Sequence, residues 1–145
     1  MQYTSKIQWK HQADAPFNAK SYDRTHEITF GGGSMISASS APEFLGKAAL
    51  PNPEELFTAS LSSCFMLTFL YLAAMKGLVV HDYQAEAVGQ LAKNSEGKMA
   101  MTEVVIKPSI SFQENPEPAV LEELFKKAHE QCFISSSVKT KVTIK

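Results

Sequence analysis

With 145 residues, 44% of them hydrophobic, the chain is the size of one domain and can bury a sizeable core. Fourteen basic residues against fifteen acidic ones leave a net charge of −1, which argues against electrostatic capture of nucleic acid or of an anionic membrane. Two cysteines are too few for a disulfide scaffold, and the polar, alternating opening from Met1 to Gln12 carries no export signal, so a reducing cytoplasm is the expected location.

In chain order, Tyr3, Ile7 and Trp9 fall on one face of a first strand. Ala15-Pro16-Phe17-Asn18 reads as a turn. The alternation over Ser21–Phe30 predicts a second strand, paired with the first as a hairpin and carrying Arg24 between Tyr22 and His26. Gly31-Gly32-Gly33 reads as a turn. It lacks the Lys-Ser/Thr ending and the following helix of a phosphate cradle. Met35–Ser40 is a third short strand, and Ala41–Pro51 a loop.

The stretch from Pro53 to Gly77 organises the rest. Asn52 can cap a helix, Pro53 suits its first position, and Glu55 stands where a capping-box acid belongs. Lys76 falls in the last turn, with Gly77 just past it. No charge occurs between Leu56 and Met75. A helix apolar nearly all round is expected to be buried on most sides. A run this long can also span a bilayer. Its hydroxyls (Thr58, Ser60, Ser62, Ser63, Thr68, Tyr71), its acidic leading flank and the strand-like segments around it favour a core helix instead.

Val79–Lys93 and Lys98–Phe112 read as two long strands joined at Asn94-Ser95-Glu96-Gly97, with Pro108 marking a bulge or an edge. A second helix is predicted over Glu117–Gln131, with Val120, Leu121, Leu124, Phe125 and Ala128 as its apolar stripe. Cys132 lies at its end. Val138, Val142 and Ile144 begin a final strand whose outer side carries Lys139 and Lys141. The order implies an α+β fold with largely antiparallel sheets around the long helix. One small sheet covers only one side of that helix, so a homodimer is expected, with the central helices near the interface.

Cys64 stands in the middle of the long helix. Most free cysteines are small buried hydrophobes. Here Ser60-Leu61-Ser62-Ser63 precedes it, and serines in a helix interior compete for backbone donors. A kink there would put Cys64 in a first helical turn, where the helix dipole lowers a thiol's pKa. Arg24, the only arginine, could hold a thiolate with its planar guanidinium. Glu54 lies about 15 Å from Cys64 along a straight helix, so it acts only through an intermediary such as Arg24, or if the helix breaks. Cys132 and His129, one turn apart, could join Cys64 in a Cys2His zinc site. No fourth ligand and no Cys-x-x-Cys accompany them. A Cys64–His pair for acyl transfer has no motif behind it. His11, His26 and His81 read as surface or strand residues.

NPEELFTASLSSCF, the later YQAEAVG from Tyr83 to Gly89, and AHEQCFISSSV from Ala128 to Val138 resemble the OsmC/Ohr family of thiol-dependent peroxidases, which act on organic hydroperoxides. SYDRTHEITFGGG and ASSAPEFLG are similar to its OsmC-like branch. The resemblance covers nearly the whole chain, residues 1–145, as one OsmC-like domain. It implies an intertwined α+β homodimer with Cys64 as peroxidatic cysteine, Cys132 as resolving cysteine, and Glu54 and Arg24 as supporting charges. It implies a Cys64 sulfenate, a Cys64–Cys132 disulfide, and a dithiol reductant such as a lipoylated protein, with no metal, flavin or haem. Phe65 stands where relatives in this branch often have a histidine, a change expected to alter pocket polarity or substrate choice. Phe57, Phe65, Met66 and Phe69 around Cys64 read as core, and a part of them could line an apolar pocket; the reading from another class is a non-catalytic dimeric protein that uses this pocket for a lipid-like ligand.

Overall fold

The structure, a computed structural model, describes all residues from Met1 to Lys145. Its elements form an α+β fold with two small sheets and one long helix. The chain divides into two compact units, Met1–Leu56 and Phe57–Lys145.

The first unit holds a three-stranded antiparallel sheet of β1 (Ser5–Gln8), β2 (His26–Phe30) and β3 (Met35–Ala38), in that order. The Gly31–Gly33 turn joins β2 to β3, closed by Gly33 N–H donating to the Phe30 carbonyl at 2.8 Å. The second strand is shorter than its alternation predicts. Turn chemistry takes residues 18–25 instead: Asn18 accepts the N–H groups of Lys20, Ser21 and Tyr22, and the Asp23 carboxylate accepts the N–H and hydroxyl of Thr25. Arg24 therefore lies in a loop before β2, not on a strand.

Helix α1 (Pro53–Met75) opens with the predicted capping box. Asn52 Oδ1 accepts the Glu55 N–H at 2.9 Å, and Glu55 Oε2 accepts the Asn52 N–H at 3.1 Å. It closes at Gly77, whose φ of 73° lets Leu78 N–H reach the Ala73 carbonyl and Gly77 N–H reach that of Ala74. The kink that the serines would allow is absent: α1 runs unbroken through them. Ser60 returns its hydroxyl to the Phe57 carbonyl and Thr68 to that of Cys64, so these hydroxyls are satisfied within the helix.

In the second unit, β4 (Val80–Lys93), β5 (Met99–Phe112) and β6 (Lys141–Ile144) make one sheet with β5 in the centre. β4 and β5 are antiparallel. β6 joins β5 in parallel, the one parallel pairing in otherwise antiparallel sheets, and starts at Lys141 rather than Val138. Pro108 pairs with Ala85 and sits past the end of β6, which reaches β5 only as far as Ile106. Its missing N–H therefore faces a locally unpaired edge. Helix α2 (Pro118–Glu130) is followed by a short helix not foreseen in the sequence, α3 (Phe133–Ser136).

The core of this unit joins Leu61, Phe65, Phe69 and Ala73 of α1 to Val104 and Ile106 of β5 and to Leu124 and Ala128 of α2. Spacings of four residues put each helical set on one face. Gly89 of β4 lies where a Cβ would collide with the Thr58 hydroxyl and the Met101 methyl, so the absent side chain lets helix and sheet close up. Burial of α1 on most sides is not what the chain provides. Leu67, Tyr71 and Met75 on the opposite face are 61%, 63% and 70% exposed, because the sheet and α2 cover a single side.

Candidate active site

Two segments of the second unit bring the cysteines together. Cys64 stands mid-way along α1 on the flank of the buried face. Cys132 is the residue between α2 and α3, fully buried, its N–H donating to the His129 carbonyl at 3.3 Å. Both are free thiols. The Cys64 sulfur faces the Cys132 thiol and the peptide N–H groups of Ile134 and Phe133.

These neighbours act in opposite directions. Burial pushes the Cys64 thiol above its ordinary range, and the Cys132 thiol pushes it further, while the two peptide N–H groups pull it back. The net shift is upward. The lowering expected from a first-turn position does not arise, since α1 is unbroken and Cys64 is far from its start. The N–H groups that help come instead from the backbone that follows Cys132. No sequence feature at Phe133-Ile134 pointed to them, and the run of hydroxyls that follows, Ser135-Ser136-Ser137, was not read as a turn. Ser136 and Ser137 return theirs to the carbonyls of Cys132 and Phe133.

Arg24 belongs to the first unit. Its guanidinium donates to the carbonyls of Tyr22 at 2.9 Å and Ala19 at 2.7 Å, and its carbon lies 4.1 Å from the centre of the Tyr22 ring. The loop is further tied by Trp9 Nε1, which donates to the Asp23 carbonyl at 2.6 Å. The Asp23 carboxyl is held down to about 2, first by the Thr25 hydroxyl and then by the Thr25 N–H and Lys47. Glu54 lies half-buried in the first turn of α1.

Phe65 is fully buried, its ring 6.4 Å from Phe69 and 6.0 Å from Phe125. It is a core residue of this unit. No three His, Cys, Asp or Glu side chains are grouped to hold a metal ion, and Cys64, Cys132 and His129 do not form the Cys2His alternative.

The model of a family described as OsmC-like protein matches residues 46–145. The OsmC-like protein of unknown function VCA0330 from Vibrio cholerae is 40% identical, superposes with a TM-score of 0.95, and is matched over 100% of this chain and 98% of its own. YmaD of Bacillus subtilis, an uncharacterized protein, is 25% identical over 120 residues, 80% of this chain and 79% of its own length. A structure from Legionella pneumophila, named as an organic hydroperoxide resistance protein OsmC, shares the fold with a TM-score of 0.73 at 20% identity, over 100% of this chain and 94% of that one. The matched family model spans the cysteine-bearing helix and everything after it, and by that match the chain belongs to the OsmC-like family.

Proposed function

We propose that this chain is a thiol-dependent peroxidase that reduces organic hydroperoxides to alcohols. The observation that carries the proposal is the Cys64 thiol facing the Cys132 thiol between two helices. Membership of the OsmC-like family and the name of the fold neighbour from Legionella pneumophila support it.

In the first step the Cys64 thiolate attacks the terminal oxygen of the hydroperoxide. The S–O bond forms, the O–O bond breaks, and the alkoxide leaves to become the alcohol. Cys64 is then a sulfenic acid. Cys132 attacks its sulfur, an S–S bond replaces S–O, and water departs, which avoids the irreversible sulfinic stage. An external dithiol, of which a lipoylated protein is an example, reduces the disulfide by exchange and becomes oxidised itself. The peptide N–H groups of Ile134 and Phe133 favour the charged sulfur. Against burial and Cys132 they do not suffice, so the proposal assigns Arg24 the remaining stabilisation of thiolate and transition state, with Glu54 orienting it. It also gives the exposed stripe of Leu67, Tyr71 and Met75 on α1 to a second copy in a homodimer.

The raised Cys64 thiol favours a second reading, in which the protein binds a lipid-like ligand and catalyses nothing. Turnover of an alkyl hydroperoxide with dihydrolipoamide separates the two. The peroxidase reading expects turnover that disappears in Cys64→Ser; no turnover in the intact protein leaves the binding reading.

A further inference from the structure

At the hairpin end of the β4–β5–β6 sheet lies a cleft of about 740 Å³, within the size range of small-molecule sites. The family model, the cysteine pair and the proposed peroxidase chemistry give it no role. Its walls are the β4–β5 turn and the segment linking α3 to β6. Both are fixed. Asn94 Oδ1 accepts the N–H groups of Glu96 and Lys98 at 3.0 Å each, and Thr140 Oγ1 donates to the Met101 carbonyl at 2.7 Å.

Part of the lining is apolar. Phe57, Met101 and Val138 form this part and are each only half-buried, so carbon surface is left open to the cleft. The charge is one-sided. Lys93 and Lys139 line the cleft, and neither has a carboxylate partner. The one acidic side chain there, Glu96, is bound to Lys98 at 3.3 Å. Two ammonium groups without a carboxylate partner, beside the apolar side chains of Phe57, Met101 and Val138, fit an anionic head on a hydrocarbon body.

We propose that this cleft binds a single-chain amphiphilic anion, with Phe57, Met101 and Val138 taking the chain and Lys93 and Lys139 the head. The head is a carboxylate or a phosphate, since lysine meets either as a point charge. The site is independent of the cysteines and stands whether or not the protein is a peroxidase.

The test is amide NMR of the full chain titrated with dodecanoate, dodecyl phosphate and dodecanol below their micelle concentrations. Either anion should saturably move the resonances of Lys93, Met101 and Val138, and the tighter of the two assigns the head group. Dodecanol and the double variant Lys93→Met/Lys139→Met should each weaken binding about tenfold, and added salt should weaken the anions alone. The folded state of the variant is checked in the same spectra. No movement at these resonances overturns the site, as does equally tight binding of dodecanol. Movement on raising the protein concentration without any probe also overturns it, because a second copy then fills the cleft.

Discussion

Cys64 of α1 and Cys132, between α2 and α3, face each other thiol to thiol across the join of two helices. Cys132 is sealed from solvent and Cys64 is not, so a peroxide reaches Cys64 first. Cys132→Ser should therefore keep the first turnover and lose cycling. Sulfenic acid should persist on Cys64 long enough for dimedone to trap it, and excess peroxide should drive it to sulfinic acid. Trapping in the variant but not in the intact protein is the expected pattern; equal trapping in both contradicts the resolving role.

The upward push on the Cys64 thiol gives a signed pH dependence. A thiol raised in the folded state holds its proton longer than in the unfolded chain, so folding stability falls as pH rises through the ordinary thiol range. Reactivity moves the other way and rises with pH as thiolate forms. If Arg24 supplies the missing cation, Arg24→Met should shift the pH profile of Cys64 alkylation upward. It should also lower peroxide turnover by about a hundredfold. An unchanged profile removes Arg24 from the mechanism.

Tyr83 offers a control on the core. Its ring packs 6.1 Å from Phe69, its hydroxyl is buried without a partner, and burial pushes its phenol up to about 12. Above the ordinary value near 10 the unfolded chain ionises first, so stability falls as pH rises toward 12. Tyr83→Phe should equal or exceed the parent by up to about 1 kcal/mol in urea unfolding at neutral pH. It should lose less stability than the parent in strong alkali.

Gly89 tests the helix–sheet contact. A methyl group there meets the Thr58 hydroxyl and the Met101 methyl. Gly89→Ala should cost about 1–3 kcal/mol of unfolding free energy, read as a lower urea midpoint.

Much of this arrangement could be read in the chain itself, because the decisive signals are local. Asn52, Pro53, Glu55 and Gly77 bound α1 within one or two residues, and Asn94–Gly97 marks the turn between the long strands. What escaped reading depends on partners distant in sequence or on turn bonds that override alternation. Arg24 looked like a strand residue until Asn18 and Asp23 claimed the neighbouring N–H groups. The serines before Cys64 signalled a break, but their hydroxyls can be satisfied on the carbonyl one turn back, as Ser60 is. At the site, the two cysteines were singled out through resemblance, and the structure places their thiols beside each other. The N–H groups of Phe133 and Ile134 were not, since a backbone donor leaves no mark in residue type.

The most direct measurement is intact-protein and peptide mass spectrometry before and after one equivalent of an organic hydroperoxide. The account predicts the loss of two hydrogens and a single cross-linked peptide joining Cys64 to Cys132. An unchanged mass, or added oxygen on Cys64 with Cys132 still a free thiol, would contradict it.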